Sequence, residues 1–81
     1  MIDRIRALLE QQPMISLDFS TITDDTNLYD AGLTSFATVQ VMLALEEEFS
    51  IEFPEAMLTR RTFSSLANVA DAVSRLTQQA A

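Results

Sequence analysis

Three stretches of the chain have hydrophobic residues at the spacing of an amphipathic helix. The first dozen residues form one of them, which ends before Pro13 because the residue that precedes a proline disfavours helical geometry. The second and clearest spans residues 35–49, and the third follows Thr62, which we predict to be its N-cap. The predicted buried faces are, in chain order, Ile2, Ile5, Leu8 and Leu9; Val41, Met42, Leu45 and Phe49; and Leu66, Val69, Val73 and Leu76.

Shorter segments complete the predicted fold. Pro54 fits the first position of a helical turn over residues 54–58, since its missing N–H costs nothing there. Residues 50–53 alternate like a strand but are too short and have no partner. The sequence thus predicts an all-α fold, a small four-helix bundle of three main helices plus a short one, with a long ordered loop between helices 1 and 2. We expect six apolar residues to hold that loop to the core: Ile15, Leu17, Phe19, Ile22, Leu28 and Leu33.

The composition indicates one small acidic domain, residues 1–81, with a frayed end at residues 78–81. The absence of cysteine and histidine excludes disulfides and thiolate or imidazole metal ligation, and we expect no metal site. Five arginines against twelve acidic residues give a net charge of −7. This charge disfavours nucleic acid and anionic membranes as partners and favours basic protein faces, or it only keeps the protein soluble. With no evident signal or membrane span, we expect a cytoplasmic monomer.

Ser35 is the strongest candidate for covalent chemistry. It lies where an acidic loop, ending in the only glycine, Gly32, enters the second helix. The free N–H groups and the positive dipole end of a helix start favour an attached phosphate. Either Thr34 or Ser35 can be the N-cap, and for a lone serine a purely capping role is the simpler explanation. An enzymatic role is poorly supported, because Asp30 is the only nearby base and no oxyanion site is evident. We therefore assign no catalytic residue.

The second helix has another apolar row, Phe36, Val39 and Leu43, on a different side from its predicted core face. We call these three residues the outer row. Either this helix is buried nearly all round, or the outer row is exposed and docks partner proteins. The three glutamates at residues 46–48 oppose the helix dipole. They are either docking charges or a solvated face.

The region from residue 24 to residue 73 resembles the acyl carrier protein family, which includes the peptidyl carrier domains. The resemblance covers most of the chain. The combination of motifs is far more specific than a lone Gly-Leu-x-Ser would be. The matching segments are Leu-Tyr-Asp-Ala-Gly-Leu-Thr-Ser at 28–35, the end of helix 2 with Leu-Glu-Glu-Glu-Phe at 45–49, Ile-Glu-Phe-Pro at 51–54, and Thr-Phe-Ser-Ser-Leu at 62–66.

The resemblance implies a carrier protein, not an enzyme. Such carriers receive a 4'-phosphopantetheine arm from coenzyme A through a Mg²⁺-dependent phosphopantetheinyl transferase, here on Ser35. The thiol of the arm holds an acyl or aminoacyl group as a thioester. A loading ligase and a downstream transferase are therefore implied partners. Because the family docks its partners through helix 2, the candidate contacts are Thr34, Phe36, Val39, Leu43, Glu46 and Glu47.

Three departures from the family pattern refine this expectation. The usual Asp-Ser-Leu is replaced by Thr34, the serine and Phe36, and a helix-2 position that is acidic in fatty acid synthesis carriers is Gln40. After Pro54, the usual acidic short helix is replaced by Met-Leu-Thr-Arg-Arg at 57–61. These changes favour a specialised stand-alone carrier of acyl or aminoacyl groups over the housekeeping fatty acid carrier. The alternative is a small helical interaction module that keeps the carrier fold but is never modified.

Overall fold

The computed structural model describes residues 1–79 of the chain, and it is all-α over that range. α1 packs against both α2 and α3, and α2 and α3 also contact each other. The predicted architecture of three main helices, one short helix and a long loop is confirmed. The elements are α1 (Ile2–Glu10), α2 (Ser35–Phe49), a 3-10 turn (Glu55–Met57) and α3 (Leu66–Gln79).

The described part of α3 runs to Gln79. The buried Leu76 supports its last turns by packing against the core. The frayed end at residues 78–81 stays a prediction, and residues 80 and 81 lie outside the described residues.

The core lies where the three helices meet. The predicted face of α2 is correct at Val41 and Leu45, whose exposed fractions are 1% and 0%. Met42 and Phe49 are only partly buried at its edge. The Arg4 guanidinium of α1 lies 4.5 Å from the centre of the Phe49 ring and covers it on the solvent side. Helical spacing also predicted eight core residues outside α2. Six of them are buried and two are partly buried. The buried ones are Ile5, Leu9, Leu66, Val69, Val73 and Leu76, and the partly buried ones are Ile2 and Leu8.

The long loop between α1 and α2 is held to the core by apolar side chains, as predicted. Four of the six anchors are buried and the other two are partly buried against the core. Apolar burial contributes about 25 cal/mol per Å², so these side chains favour one ordered loop conformation. The buried anchors are Ile15, Ile22, Leu28 and Leu33, and the partly buried ones are Leu17 and Phe19.

Polar contacts that helical spacing does not predict also fix the loop. The Arg6 guanidinium donates hydrogen bonds to the carbonyls of Phe19 (3.0 Å) and Ile22 (2.7 Å). The Leu28 N–H donates to the Ser64 carbonyl at 2.7 Å, which ties the loop to the segment before α3. Backbone groups of the loop are thus paired with other parts of the chain, as buried backbone requires.

The start of α3 corrects one prediction. The helix begins at Leu66, and the Ser65 Oγ accepts a hydrogen bond from the Asn68 N–H at 3.1 Å, so Ser65 is the N-cap. Thr62 instead lies in the preceding turn, where its N–H donates to the Thr59 Oγ1. Helical spacing extended upstream from Leu66 does not distinguish these two hydroxyl residues, since both are good caps.

We expect moderate salt or divalent cations to raise the melting temperature. Asp24, Asp25 and Asp30 lie in one loop. Of these three carboxylates, only Asp24 has a cation nearby within the described part of the chain, with the Arg6 Nη2 at 3.7 Å. The net charge of −7 adds repulsion that salt screens, over about 8 Å at physiological ionic strength. Thermal unfolding followed by circular dichroism in increasing NaCl measures this effect. A melting temperature that does not change between low and physiological salt would contradict it.

Candidate functional site

The loop turns sharply just before α2, and the turn requires its glycine. Gly32 has φ = +119°, a conformation that residues with a Cβ rarely adopt. A Cβ there would have room, since its nearest neighbour is the Leu17 Cδ2 at 3.9 Å. The backbone conformation is therefore the reason for the glycine. The turn is closed by hydrogen bonds from the Gly32 N–H to the Tyr29 carbonyl and from the Leu33 N–H to the Leu28 carbonyl.

Thr34, and not Ser35, caps α2. Its backbone is extended, and its Oγ1 accepts a hydrogen bond from the Ala37 N–H at 3.0 Å. Its carbonyl accepts from the Thr38 N–H at 2.9 Å. The Ser35 hydroxyl is exposed and forms no hydrogen bond with the rest of residues 1–79. Capping therefore does not explain Ser35, which leaves its hydroxyl free for other chemistry.

Ser35 lines an open groove of about 420 Å³ between the start of α2 and the segment before α3. The groove is mostly apolar. Two of its lining residues contact each other: the guanidinium carbon of Arg60 lies 4.0 Å from the centre of the Tyr29 ring. The other lining residues are Thr38, Val39, Met42, Leu58, Thr59 and Phe63.

The outer row of α2 is exposed. The exposed fractions are 59% for Phe36, 48% for Val39 and 49% for Leu43. Leu58, which lines the groove together with Val39, is exposed to a similar degree. The interpretation in which α2 is buried nearly all round is therefore wrong. An apolar surface runs along α2 beside Ser35.

The three glutamates at the end of α2 have different surroundings. The Glu46 Oε2 accepts a hydrogen bond from the Phe53 N–H at 2.9 Å, and the Glu48 Oε2 lies 2.8 Å from the Arg4 Nη2. Both carboxylates therefore have partners within the fold, which helical spacing does not reveal. Glu47 is exposed and makes no ion pair with the described residues. Among the three, Glu47 is the one whose charge is available to a partner.

In the described part of the chain, no group of three or more acidic side chains is arranged to hold a metal ion. None of its helices has the length and apolar character needed to cross a membrane.

Comparison with known proteins agrees with this geometry. Residues 3–73 match the model of the phosphopantetheine attachment site family. The chain is 45% identical over 69 residues to an aminoacyl carrier protein of Agrobacterium fabrum, covering 85% of this chain and 83% of that protein.

Solved structures show the same fold. One match lies in a crystal structure of an engineered Bradyrhizobium japonicum glycine:[carrier protein] ligase complexed with a carrier protein from Agrobacterium tumefaciens and AMP. The TM-score is 0.82 and the sequence identity is 43%. The match covers 91% of this chain and 99% of the matching chain. A solution structure from Agrobacterium tumefaciens matches with a TM-score of 0.75 and 41% identity over the whole of both chains.

The family match, together with the exposed serine at the start of the second helix, identifies the class of this chain as a carrier protein. The chain belongs to the phosphopantetheine attachment site family. Its prosthetic group is accordingly 4'-phosphopantetheine, whose thiol supplies thioester chemistry in a chain without cysteine.

The residues at the start of α2 fit that group. Ser35 offers an exposed hydroxyl, and the N–H groups of Ser35 and Phe36 donate to no acceptor among residues 1–79. Such free N–H groups and the helix dipole stabilise a phosphate. The adjoining groove has both apolar walls and hydroxyl groups, which suits an arm that contains methyl and amide groups.

Proposed function

We propose that Ser35 bears the 4'-phosphopantetheine arm of this carrier and that the cargo is an aminoacyl group. The observation that supports the attachment is that Thr34 caps α2, which leaves the Ser35 hydroxyl exposed at the helix start. Replacement of the family's usual aspartate by Thr34 does not disturb this geometry, since threonine also caps helices well.

Attachment requires Ser35 to act as a nucleophile towards coenzyme A. Its Oγ forms a bond to the phosphorus next to the pantetheine, while the P–O bond within the diphosphate breaks and the nucleotide leaves. The hydroxyl proton passes to a base of the phosphopantetheinyl transferase or to water. The free N–H groups of α2 and its dipole stabilise the resulting phosphodiester anion. The proposal places the protein in the cytoplasm, where coenzyme A and ATP are available.

Several features support an aminoacyl cargo. The relative in Agrobacterium fabrum is an aminoacyl carrier protein, and the structurally similar Agrobacterium tumefaciens carrier is bound to a glycine:[carrier protein] ligase. This chain also departs from the fatty acid carrier pattern at Thr34, Phe36 and Gln40. We propose that a ligase of this class loads the arm using ATP and that a transferase then takes the aminoacyl group.

The intact mass of the protein recovered from its native cell tests the cargo. We expect the mass of the chain plus one phosphopantetheine, and a second species heavier by one amino acid residue. Treatment with neutral hydroxylamine should remove the added amino acid, because it cleaves thioesters. A fatty acyl group on the arm would contradict the aminoacyl assignment while leaving the arm in place. A chain that gains no arm in the cell or with a transferase would support the unmodified interaction module instead.

We expect Phe36→Ala to weaken partner binding by about fivefold or more, the effect of truncating one of the few side chains that carry most of the binding energy of an interface. The melting temperature should hardly change, because Phe36 is 59% exposed. Titration of the arm-bearing protein into the Bradyrhizobium japonicum glycine:[carrier protein] ligase measures the affinity. Met14→Ala is the matched control, since Met14 is also exposed but lies in the loop after α1. A large drop in the melting temperature of Phe36→Ala, or equal weakening by both variants, would contradict the docking role.

A further inference from the structure

Arg60 carries a positive charge on the surface beside Ser35. Both residues line the groove at the start of α2, and Arg60 is exposed. Arg60 forms no ion pair with the described residues, and no carboxylate among them lines the groove. The charge is therefore uncompensated in a protein with a net charge of −7. By contrast, three other arginines are paired, as Arg4–Glu48, Arg6–Asp24 and Arg75–Asp71.

The position of Arg60 is fixed in the free protein. Its guanidinium carbon lies 4.0 Å from the centre of the Tyr29 ring, within the range of a cation–π contact. The backbone next to it is held as well, because the Arg61 carbonyl accepts hydrogen bonds from the Ser64 Oγ at 2.8 Å and the Asn68 Nδ2 at 3.0 Å. A side chain that is ordered before binding loses little conformational entropy on binding. Its N–H groups lie in the guanidinium plane, where they match the two oxygens of a carboxylate.

Arg60 borders the exposed apolar surface of α2. Val39 of the outer row and Leu58 line the same groove as Arg60, and their exposed fractions are 48% and 47%. An enzyme that acts on a group attached at Ser35 approaches this surface and removes water from it. Removal of water from an unpaired charge is costly unless an opposite charge replaces the water. Since no described carboxylate of this chain lines the groove, the partner has to supply that charge.

We propose that Arg60 is a specificity-determining contact for the loading ligase and that the ligase presents a carboxylate to it. The inference rests on the proposed function. It reverses, at this position, the expectation from net charge, which favours partners with basic faces. The end of α2 weakens that expectation too, because Glu46 and Glu48 have partners within the fold and Glu47 alone of the three is available. A basic face placed over Arg60 would be repelled, so this contact also discriminates against enzymes with such faces.

A series of charge changes at Arg60 tests the contact. The engineered Bradyrhizobium japonicum ligase, which binds the Agrobacterium tumefaciens carrier, is titrated with this chain and with Arg60→Lys, Arg60→Gln and Arg60→Glu, each without and with the arm. We expect the affinity to fall in that order. Arg60→Glu should bind about tenfold more weakly than the chain without substitutions, because charge reversal replaces attraction by repulsion. In about 1 M NaCl, where charges are screened beyond about 3 Å, most of this difference should disappear.

Arg61→Glu is the matched control. Arg61 is the next residue, is also exposed and forms no ion pair within the described part of the chain. However, it lines a different cavity, together with Asn68 and Arg75. The two glutamate variants change the net charge equally, so a general effect of net charge would weaken both. We expect Arg61→Glu to keep most of the affinity, and both variants to keep the melting temperature.

Four results would overturn the role of Arg60 and leave the proposed function intact. They are equal affinities across the series, equal losses in Arg60→Glu and Arg61→Glu, tighter binding of Arg60→Glu, and a loss that persists in 1 M NaCl together with a lower melting temperature. The third would show that the ligase presents a basic face, and the fourth that Arg60 acts only on the fold.

Three further results separate this inference from the proposed function. A loss of affinity confined to the arm-bearing protein would show that Arg60 acts on the arm, and would overturn its contact with the ligase. A ligase that binds none of the proteins would overturn both the proposed loading partner and this inference. A chain that gains no arm would overturn the attachment alone, since the titration without the arm still measures the effect of Arg60.

Discussion

Replacing Leu45 by alanine is expected to destabilise the protein by about 2–5 kcal/mol, the usual cost of a large-to-small change in a core. Leu45 is fully buried in α2, in the cluster that the three helices share. A small domain has a total stability of only about 5–15 kcal/mol, so this one change threatens the fold. In a domain of this size each kcal/mol lowers the melting temperature by roughly 4–8 °C. Chemical and thermal unfolding measure the loss.

Leu43→Ala is the matched control for this prediction. It removes the same atoms from the same helix, but Leu43 is 49% exposed whereas Leu45 is 0% exposed. We expect its effect to stay within about 0.5 kcal/mol, as for most surface substitutions. Similar losses in the two variants would contradict the assignment of inner and outer faces of α2. Phe49→Ala should fall between them, because Phe49 is only partly buried.

The features of the fold that depend on local signals could be predicted from the sequence. α2 begins at Ser35 and ends at Phe49 as predicted, because Thr34 is a good cap and the helix stops at Ser50, whose φ of 53° is left-handed. The loop anchors could also be predicted, since apolar residues among turn-forming ones have few other places to go.

The features of the fold that depend on contacts between distant residues could not be predicted from the sequence. The hydrogen bonds of Arg6 to the loop carbonyls and of Glu46 to the Phe53 N–H join residues that are at least seven positions apart. Neither hydrophobic period nor capping preference predicts which distant backbone group a charged side chain reaches. Ser65 and not Thr62 caps α3, and hydroxyl identity does not predict this, because serine and threonine are both good caps.

In the candidate site, too, the features set by local sequence could be predicted and those set by distant contacts could not. The sequence indicates Ser35 through the local pattern of glycine, cap and helix, and it indicates the outer row through helical spacing. The groove was not predicted, because it forms where Tyr29 of the loop meets Arg60 and Phe63 of the segment before α3. The Arg-Arg pair at residues 60–61 is visible in the sequence only as a departure from the family pattern.

Ser35→Ala is expected to abolish attachment of the arm completely, because the Ser35 Oγ is the atom that forms the bond to phosphorus. The fold should survive, since Ser35 is exposed and Thr34 caps the helix. Thr38→Val is the matched control. It removes a hydroxyl one turn along α2 that lines the same groove and donates to the Thr34 carbonyl.

The most direct test is the intact mass of three proteins after incubation with coenzyme A, Mg²⁺ and a broad-specificity phosphopantetheinyl transferase. The chain without substitutions and Thr38→Val should each gain the mass of one phosphopantetheine group, and Ser35→Ala should gain none. Two results would contradict the assignment of Ser35 as the attachment site. One is a mass gain that persists in Ser35→Ala. The other is an unchanged mass of the chain without substitutions, beside a control carrier that gains the arm in the same tube.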